Sequence, residues 1–206
     1  MTKIKSLLEG IGDENETEKY YDEWSINYDQ TLKNWNYKAP NKAASILYKI
    51  KSNIKYNLDL ACGTGMFAEE LQKKYNKIII DGCDISSLSL KISKQKNLYR
   101  KLVKKSFEKK IILNQKYDSV SMIGSMTYCK KPKLLFELVC DYLKKNGIFI
   151  FTHRIDLWHK QDFDSLILNS KKEFKLRLKS RPLNYLPKNS DFSDQVKIRI
   201  VVLTKA

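Results

Sequence analysis

The stretch from Leu58 to Asp84 constrains the fold more than any other part of the chain. It reads L-D-L-A-C-G-T-G, runs on through a helix-like segment, and returns as I-I-I-D-G-C-D. This is the pattern of a buried strand, a glycine turn, a helix and a second strand closed by an acid. Tyr56 to Ala61 supplies the first strand, and Gly63 and Gly65 let the backbone of the turn approach a ligand without interference from a Cβ. Met66 to Tyr75 follows as an amphipathic helix, with Phe67, Leu71 and Tyr75 on one face. The N–H groups at its start suit a carboxylate or phosphate. Lys77 to Cys83 forms the next strand, and Asp84 at its carboxyl end is placed to accept both hydroxyls of a ribose.

Two ligand classes satisfy that pattern. Gly63-x-Gly65-x-x-Ala68 with Asp84 downstream also meets the dinucleotide fingerprint. Asp59 separates the two, because a carboxylate aimed at the turn repels a pyrophosphate but suits a ligand carrying an ammonium and a sulfonium. S-adenosylmethionine is such a ligand, and a dehydrogenase is the weaker reading. The segment Asp59-Leu60-Ala61-Cys62-Gly63-Thr64-Gly65 resembles motif I of the class I, Rossmann-like S-adenosylmethionine-dependent methyltransferases, with Ala61 in place of the first glycine of D-x-G-x-G-x-G. The resemblance implies that Asp59 and the turn Ala61, Cys62, Gly63, Thr64 and Gly65 face the methionine moiety. It also implies that Asp84 holds the ribose and Ile85 covers the adenine. S-adenosylhomocysteine would be the product.

The remaining segments keep the order of that family. Arg100 to Lys105 reads as a third strand, followed by Ser106-Phe107, where many relatives carry an Asp that contacts the adenine amino group. Adenine contact would then rest on Phe107 and on backbone groups at Ser106. Tyr117 to Ile123 is a fourth strand, Lys133 to Lys144 a helix with Leu134, Leu135, Leu138 and Tyr142 buried, and Gly147 to Thr152 a fifth strand. The alternating runs Phe174 to Lys179 and Val196 to Leu203 are expected to pair antiparallel. The expected fold is α/β: a doubly wound, mostly parallel seven-stranded sheet with a C-terminal antiparallel strand and an N-terminal helical arm. The resemblance implies a strand order 3-2-1-4-5-7-6.

The arm reads E-K-Y-Y-D-E-W-S-I-N-Y-D-Q-T-L from Glu18, with Tyr21, Trp24 and Tyr28 on one helical face. Packing against the sheet explains that face. So does a lid whose aromatics shape a substrate pocket, and the arm resembles that of methyltransferases acting on small molecules. The expected organisation is a flexible start over residues 1–15, a helical arm over 16–53 and a cofactor-binding domain over 54–206.

Direct methyl transfer needs positioning more than a catalytic triad. If the acceptor carries a proton, His153 at the end of the fifth strand and Tyr128 after the fourth are the candidate catalytic residues. Thr127, Tyr128, Tyr185 and the arm aromatics are candidates for shaping the acceptor site. Arg154 or Arg181 would clamp a carboxylate or phosphate on it.

The net charge of +16 raises the question of nucleic acid. Lysines scattered over nearly every segment, with arginine scarce, fit compositional bias better than an RNA-binding stripe. Cys62, Cys83, Cys129 and Cys140 lack metal-ligand spacing and suggest reduced thiols, and no metal is expected. No apolar run is long enough to span a membrane, and the start is too short in its apolar part for a secretory signal. A cytoplasmic location and no membrane insertion are therefore expected. The favoured function is a methyltransferase for a small molecule, anionic if an arginine clamps it. An RNA or protein methyltransferase and a non-catalytic S-adenosylmethionine-binding domain are the alternatives.

Overall fold

A computed structural model describes Leu7, residues 12–192 and residues 195–206. Two helices precede the sheet. The first, α1 (Glu14–Asn34), opens on a capping box. Asp13 accepts from the Glu16 N–H at 2.8 Å, and the Glu16 carboxylate accepts from the Asp13 N–H at 3.0 Å. Such a cap stabilises a helix start by about 1 kcal/mol. The second, α2 (Ala39–Ile50), carries Pro40 in its first turn, where the missing N–H costs no hydrogen bond.

Strands and helices then alternate: β1 (Tyr56–Leu60), α3 (Met66–Lys74), β2 (Ile79–Asp84), α4 (Ser87–Gln95), β3 (Lys101–Lys104), β4 (Tyr117–Met122), α5 (Pro132–Tyr142) and β5 (Leu143–Arg154). Two short helices, α6 (Ile155–Lys160) and α7 (Phe163–Asn169), lead to β6 (Phe174–Lys179), β7 (Leu183–Asn184) and β8 (Lys197–Lys205). The strand order is β3-β2-β1-β4-β5-β8-β6, with the two-residue β7 on β8. β1 to β5 are parallel, and β8 runs antiparallel between β5 and β6. This is the expected doubly wound topology, with β8 in the place of the seventh strand. The short β7 was not expected, because two residues carry no periodic signal.

The order reverses between β1 and β4, so their carboxyl ends flank the crevice where such sheets bind ligands. The run Ile148 to Phe151 in β5 is apolar on both faces, as burial on both sides requires, whereas β1 and β4 alternate apolar residues with the buried, mutually bonded Asn57, Asp59, Ser119 and Ser121. Leu58, Val120, Phe149 and Phe151 pack with α5 on one side, and Ile80, Ile148 and Ile150 pack with α2 and α3 on the other.

Three expectations are corrected. Leu134 is 38% exposed, and the buried face of α5 is Leu135, Phe136, Leu138, Val139 and Tyr142. The helix ends at Tyr142, and β5 begins at Leu143, which pairs with Tyr117 before a shift in register to Ser119 and Ile148. Asn146, at φ 59°, turns the chain within that irregularity. At the N-terminus, residues 14 and 15 are already helical, and Leu7 is buried with Tyr20, Trp24 and Leu186. The expectation of a loose start otherwise falls on residues 1–6 and 8–11, outside the described residues.

Candidate functional site

The glycine turn after β1 makes the floor of the site. Ala61 (φ 52°), Gly63 (φ 53°) and Gly65 (φ 89°) all take left-handed backbone conformations, so the chain reverses within five residues into the start of α3. A Cβ built on Gly63 would meet nothing within 4 Å, and Gly63 faces open space. That space is a cavity of about 180 Å³ lined on its floor by Ala61, Gly63, Asp84 and Ile85. Ser106 and Phe107 line one end, and Ile123, Gly124, Ser125 and Tyr128 the other. A smaller cavity of about 40 Å³ adjoins it, sharing Tyr28, Ala61, Gly63 and Ile123, and adds Tyr37, Asp59, Cys62 and Thr64.

The two acids at the strand ends are held differently. Asp84 accepts from the Gly63 N–H and the Ser86 N–H, each at 2.8 Å. Burial nevertheless raises its pKa above the ordinary carboxylate value, against those backbone bonds. Asp59 is 2% exposed and accepts from Ser121 Oγ at 2.7 Å and Tyr99 Oη at 2.8 Å. Burial pushes its pKa up to about 7; the Ser121 and Tyr99 bonds oppose the shift, and the Asp84 charge adds to it. Tyr99 packs over Gly82, where a Cβ would lie 2.8 Å from the ring. Sequence reasoning missed Tyr99, which precedes β3 without any motif of its own.

Helix α1 forms the far wall, through Thr17, Tyr21 and Tyr28. Its acids sit beside those residues on the helix and bind the sheet domain. Glu14 pairs with Lys109 at 2.9 Å and Glu18 with Lys104 at 2.6 Å. Asp22 accepts from Ser86 Oγ at 2.6 Å and from the Leu88 N–H at 3.0 Å. Asp29 accepts from Thr64 Oγ1 at 2.5 Å and pairs with Lys96 at 2.6 Å. Positions 14, 18, 22 and 29 recur at helical spacing, a signal legible in the sequence once the aromatic stripe is drawn beside it. The last two contacts reach segments that build the site: Ser86 lies two residues after Asp84, and Thr64 lies in the glycine turn.

The end of the cavity at Tyr128 is phenolic. Tyr21 Oη and Tyr128 Oη are 2.7 Å apart. Tyr37 and Tyr185 pack edge to face with centroids 5.6 Å apart. Burial holds the hydroxyls of Tyr21, Tyr28 and Tyr37 well above the usual phenol value and also raises Tyr128, so these groups stay protonated at neutral pH.

Several expected site residues lie elsewhere. His153 is 1% exposed on the sheet face covered by α6 and α7, with its ring 4.3 Å from that of Phe163 and its Nε2 2.9 Å from Gln161 Oε1. Burial lowers its pKa to about 4, and it does not line the cavity, so it cannot act there as a base. The alternation along β5 decides this: Thr152, the preceding residue, is the one whose hydroxyl reaches the Gly124 N–H, at 2.8 Å. Trp24 is buried among Tyr20, Tyr28 and Trp35 and supports the wall from behind. Arg154 forms two bonds to Asp156 and stacks on Phe192, Arg181 is exposed, and neither they nor Thr127 and Tyr185 line the cavity. Gly65 caps α3 behind the turn. The four cysteines are unbridged. Among the described residues no helix is long and apolar enough to cross a membrane.

Residues 58–147 match the family model described as a methyltransferase domain. The chain is 28% identical over 128 residues to methyltransferase-like protein 27 of Homo sapiens, covering 60% of this chain and 52% of that protein. It is 29% identical over 100 residues to malonyl-[acyl-carrier protein] O-methyltransferase 2 of Ilyobacter polytropus, covering 46% and 38%. The chain thus spans about half or less of the length of these curated relatives. Among solved structures, the plantazolicin methyltransferase BpumL, bound to a monoazolic desmethylPZN analog and SAH, superposes with a TM-score of 0.65 at 14% identity, covering 94% of this chain and 99% of that one. A Thermotoga maritima SAM-dependent methyltransferase, described as a possible histamine N-methyltransferase, gives 0.65 at 15% identity, covering 91% and 98%. At such identities the structural likeness speaks to the fold.

Proposed function

We propose that this chain is a class I, Rossmann-like S-adenosylmethionine-dependent methyltransferase and that it methylates a small molecule held beneath helix α1, a reading supported by the methyltransferase-domain match and the shared fold. The observation that carries this reading is the Tyr21–Tyr128 hydrogen bond, which ties α1 over one end of a cavity of about 180 Å³. A chamber covered in this way suits a small acceptor better than a folded RNA or protein surface.

S-adenosylmethionine supplies an electrophilic methyl group. In this reading the open space at Gly63 takes the methionine moiety, Asp84 accepts from the ribose hydroxyls, and Ile85 and Phe107, which line the same cavity, contact the adenine. Asp59 favours a positive charge in the smaller cavity. Helix α1, with α2 the lid of this reading, excludes water through Tyr21 and Tyr28, and its acids hold it against Ser86 and Thr64.

The test uses methyl-labelled S-adenosylmethionine incubated with the protein and a cell extract, followed by separation into ultrafiltrate, RNA and protein. Label in the ultrafiltrate, lost with Asp84→Ala, is expected. Label confined to RNA or protein would contradict the proposal.

A further inference from the structure

Two hydroxyls at the acceptor end, Ser125 Oγ and Tyr37 Oη, are buried without a hydrogen-bond partner. They bracket Gly124. Ser125 is the next residue, and Tyr37 Oη lies 2.8 Å from where a Cβ on Gly124 would stand. Ser125 lines the larger cavity and Tyr37 the adjoining smaller one. An unpaired buried hydroxyl costs on the order of 1–3 kcal/mol. Two of them beside open space imply a ligand that accepts hydrogen bonds. The Tyr21–Tyr128 pair adds a third donor, because one hydroxyl donates to the other and the accepting one keeps its own hydrogen for a ligand.

What is missing from this end is a base. The phenols are protonated, His153 faces the other side of the sheet against Phe163, the Asp59 carboxylate is engaged by Ser121 and Tyr99, and the Glu108 carboxylate, which also lines the cavity, accepts from the Lys130 and Lys131 N–H groups. An ammonium or an alcohol would have to lose a proton in the reaction, and among the described residues no unengaged side chain at this end is placed to take it.

We infer that the acceptor atom is a carboxylate oxygen of a small molecule, held by donation from Ser125 Oγ and Tyr37 Oη and converted to a methyl ester. The inference rests on the methyltransferase reading above. A carboxylate accepts hydrogen bonds without donating any, and it is ionised at neutral pH, so it needs no base. The S–CH3 bond breaks with its electron pair left on sulfur, the O–CH3 bond forms from a carboxylate lone pair, and no proton moves. A sulfonium and a carboxylate give two uncharged centres, a change that a water-poor chamber favours.

The test is calorimetric titration of the protein, saturated with S-adenosylhomocysteine, with linear carboxylates from butyrate to octanoate and with malonate. The amines and alcohols of the same chain lengths serve as the comparison. Wild type is set beside Ser125→Ala and Tyr37→Phe, each of which removes one oxygen, and their S-adenosylhomocysteine affinity serves as the folding control. Carboxylate binding that weakens about tenfold in each variant is expected. With labelled S-adenosylmethionine, the bound carboxylate should give a product that releases volatile methanol in base. Preferred binding of amines or alcohols, no carboxylate binding to the loaded protein, or unchanged affinity in both variants would overturn the inference. Failure to bind S-adenosylhomocysteine at all would instead defeat the methyltransferase reading.

Discussion

The hydroxyl of Tyr21 on α1 and that of Tyr128 after β4 meet at 2.7 Å, joining the arm to the carboxyl edge of the sheet across 107 positions of the chain. Such a bond contributes about 1 kcal/mol net. Tyr21→Phe and Tyr128→Phe should each lower unfolding stability by about that amount, and the double variant should lose little more than either single one. Denaturant unfolding of the four proteins measures the coupling. Strict additivity would mean that the two hydroxyls do not act on each other.

The acids of α1 predict salt dependence. Exposed ion pairs contribute little singly, about 0–1 kcal/mol, but Asp22 and Asp29 also accept uncharged donors at the site. The double variant Asp22→Asn, Asp29→Asn should speed hydrogen exchange in α1 while leaving β1, β4 and β5 protected. High salt should produce a weaker version of the same pattern in the wild type. Exchange that rises equally in sheet and helix would argue against a separable arm.

Asp59 predicts a pH effect of definite sign. Burial lifts its pKa to about 7 in the folded chain, against the ordinary aspartate value of 3.8. Between those values the folded state holds a proton that the unfolded state has lost. The stabilisation is therefore fully present below about pH 4 and is lost as pH rises towards about 7. Urea midpoints should fall from about pH 5 to about pH 7.5, and Asp59→Asn should flatten that slope. A ligand carrying an ammonium favours the ionised carboxylate, so S-adenosylmethionine binding near neutral pH should release protons. Calorimetry in buffers of different ionisation enthalpy reads that release.

His153 is a packing residue by its surroundings, Phe163, Trp158 and Gln161. His153→Leu should reduce stability by about 1–3 kcal/mol, chiefly by leaving Gln161 without its partner. The pH dependence of methyl transfer should be unchanged. A lost ionisation in that profile would restore a catalytic role.

Ala61, at φ 52°, occupies a conformation that costs an L-residue roughly 1–2 kcal/mol. Ala61→Gly should raise the melting temperature, provided the strain outweighs the entropy that glycine adds to the unfolded chain. A lowered melting temperature would show that the methyl group packs favourably at the turn.

The legible parts of this molecule are those with local signals. The glycine turn, Asp84 and the alternation of strands with helices were readable because backbone geometry dictates residue type there. Side-chain direction at strand ends was not. Thr152 and His153 are neighbours on β5, yet only Thr152 reaches the Gly124 N–H, and that register depends on pairing with β4 and β8. Arg154 looked like a clamp, but Asp156, two residues on, engages it. Tyr37 and Tyr99 gained their roles only through tertiary contact with Gly124 and Gly82.

The central claim is that the turn from Ala61 to Gly65, with Asp84, holds S-adenosylmethionine. Calorimetric titration with S-adenosylmethionine, S-adenosylhomocysteine and NAD, on wild type and Asp84→Ala, tests it most directly. The account predicts that both sulfur compounds bind, that NAD does not, and that the variant loses at least about tenfold in affinity. Binding of NAD in preference, or sulfur-compound binding that ignores Asp84, would contradict it.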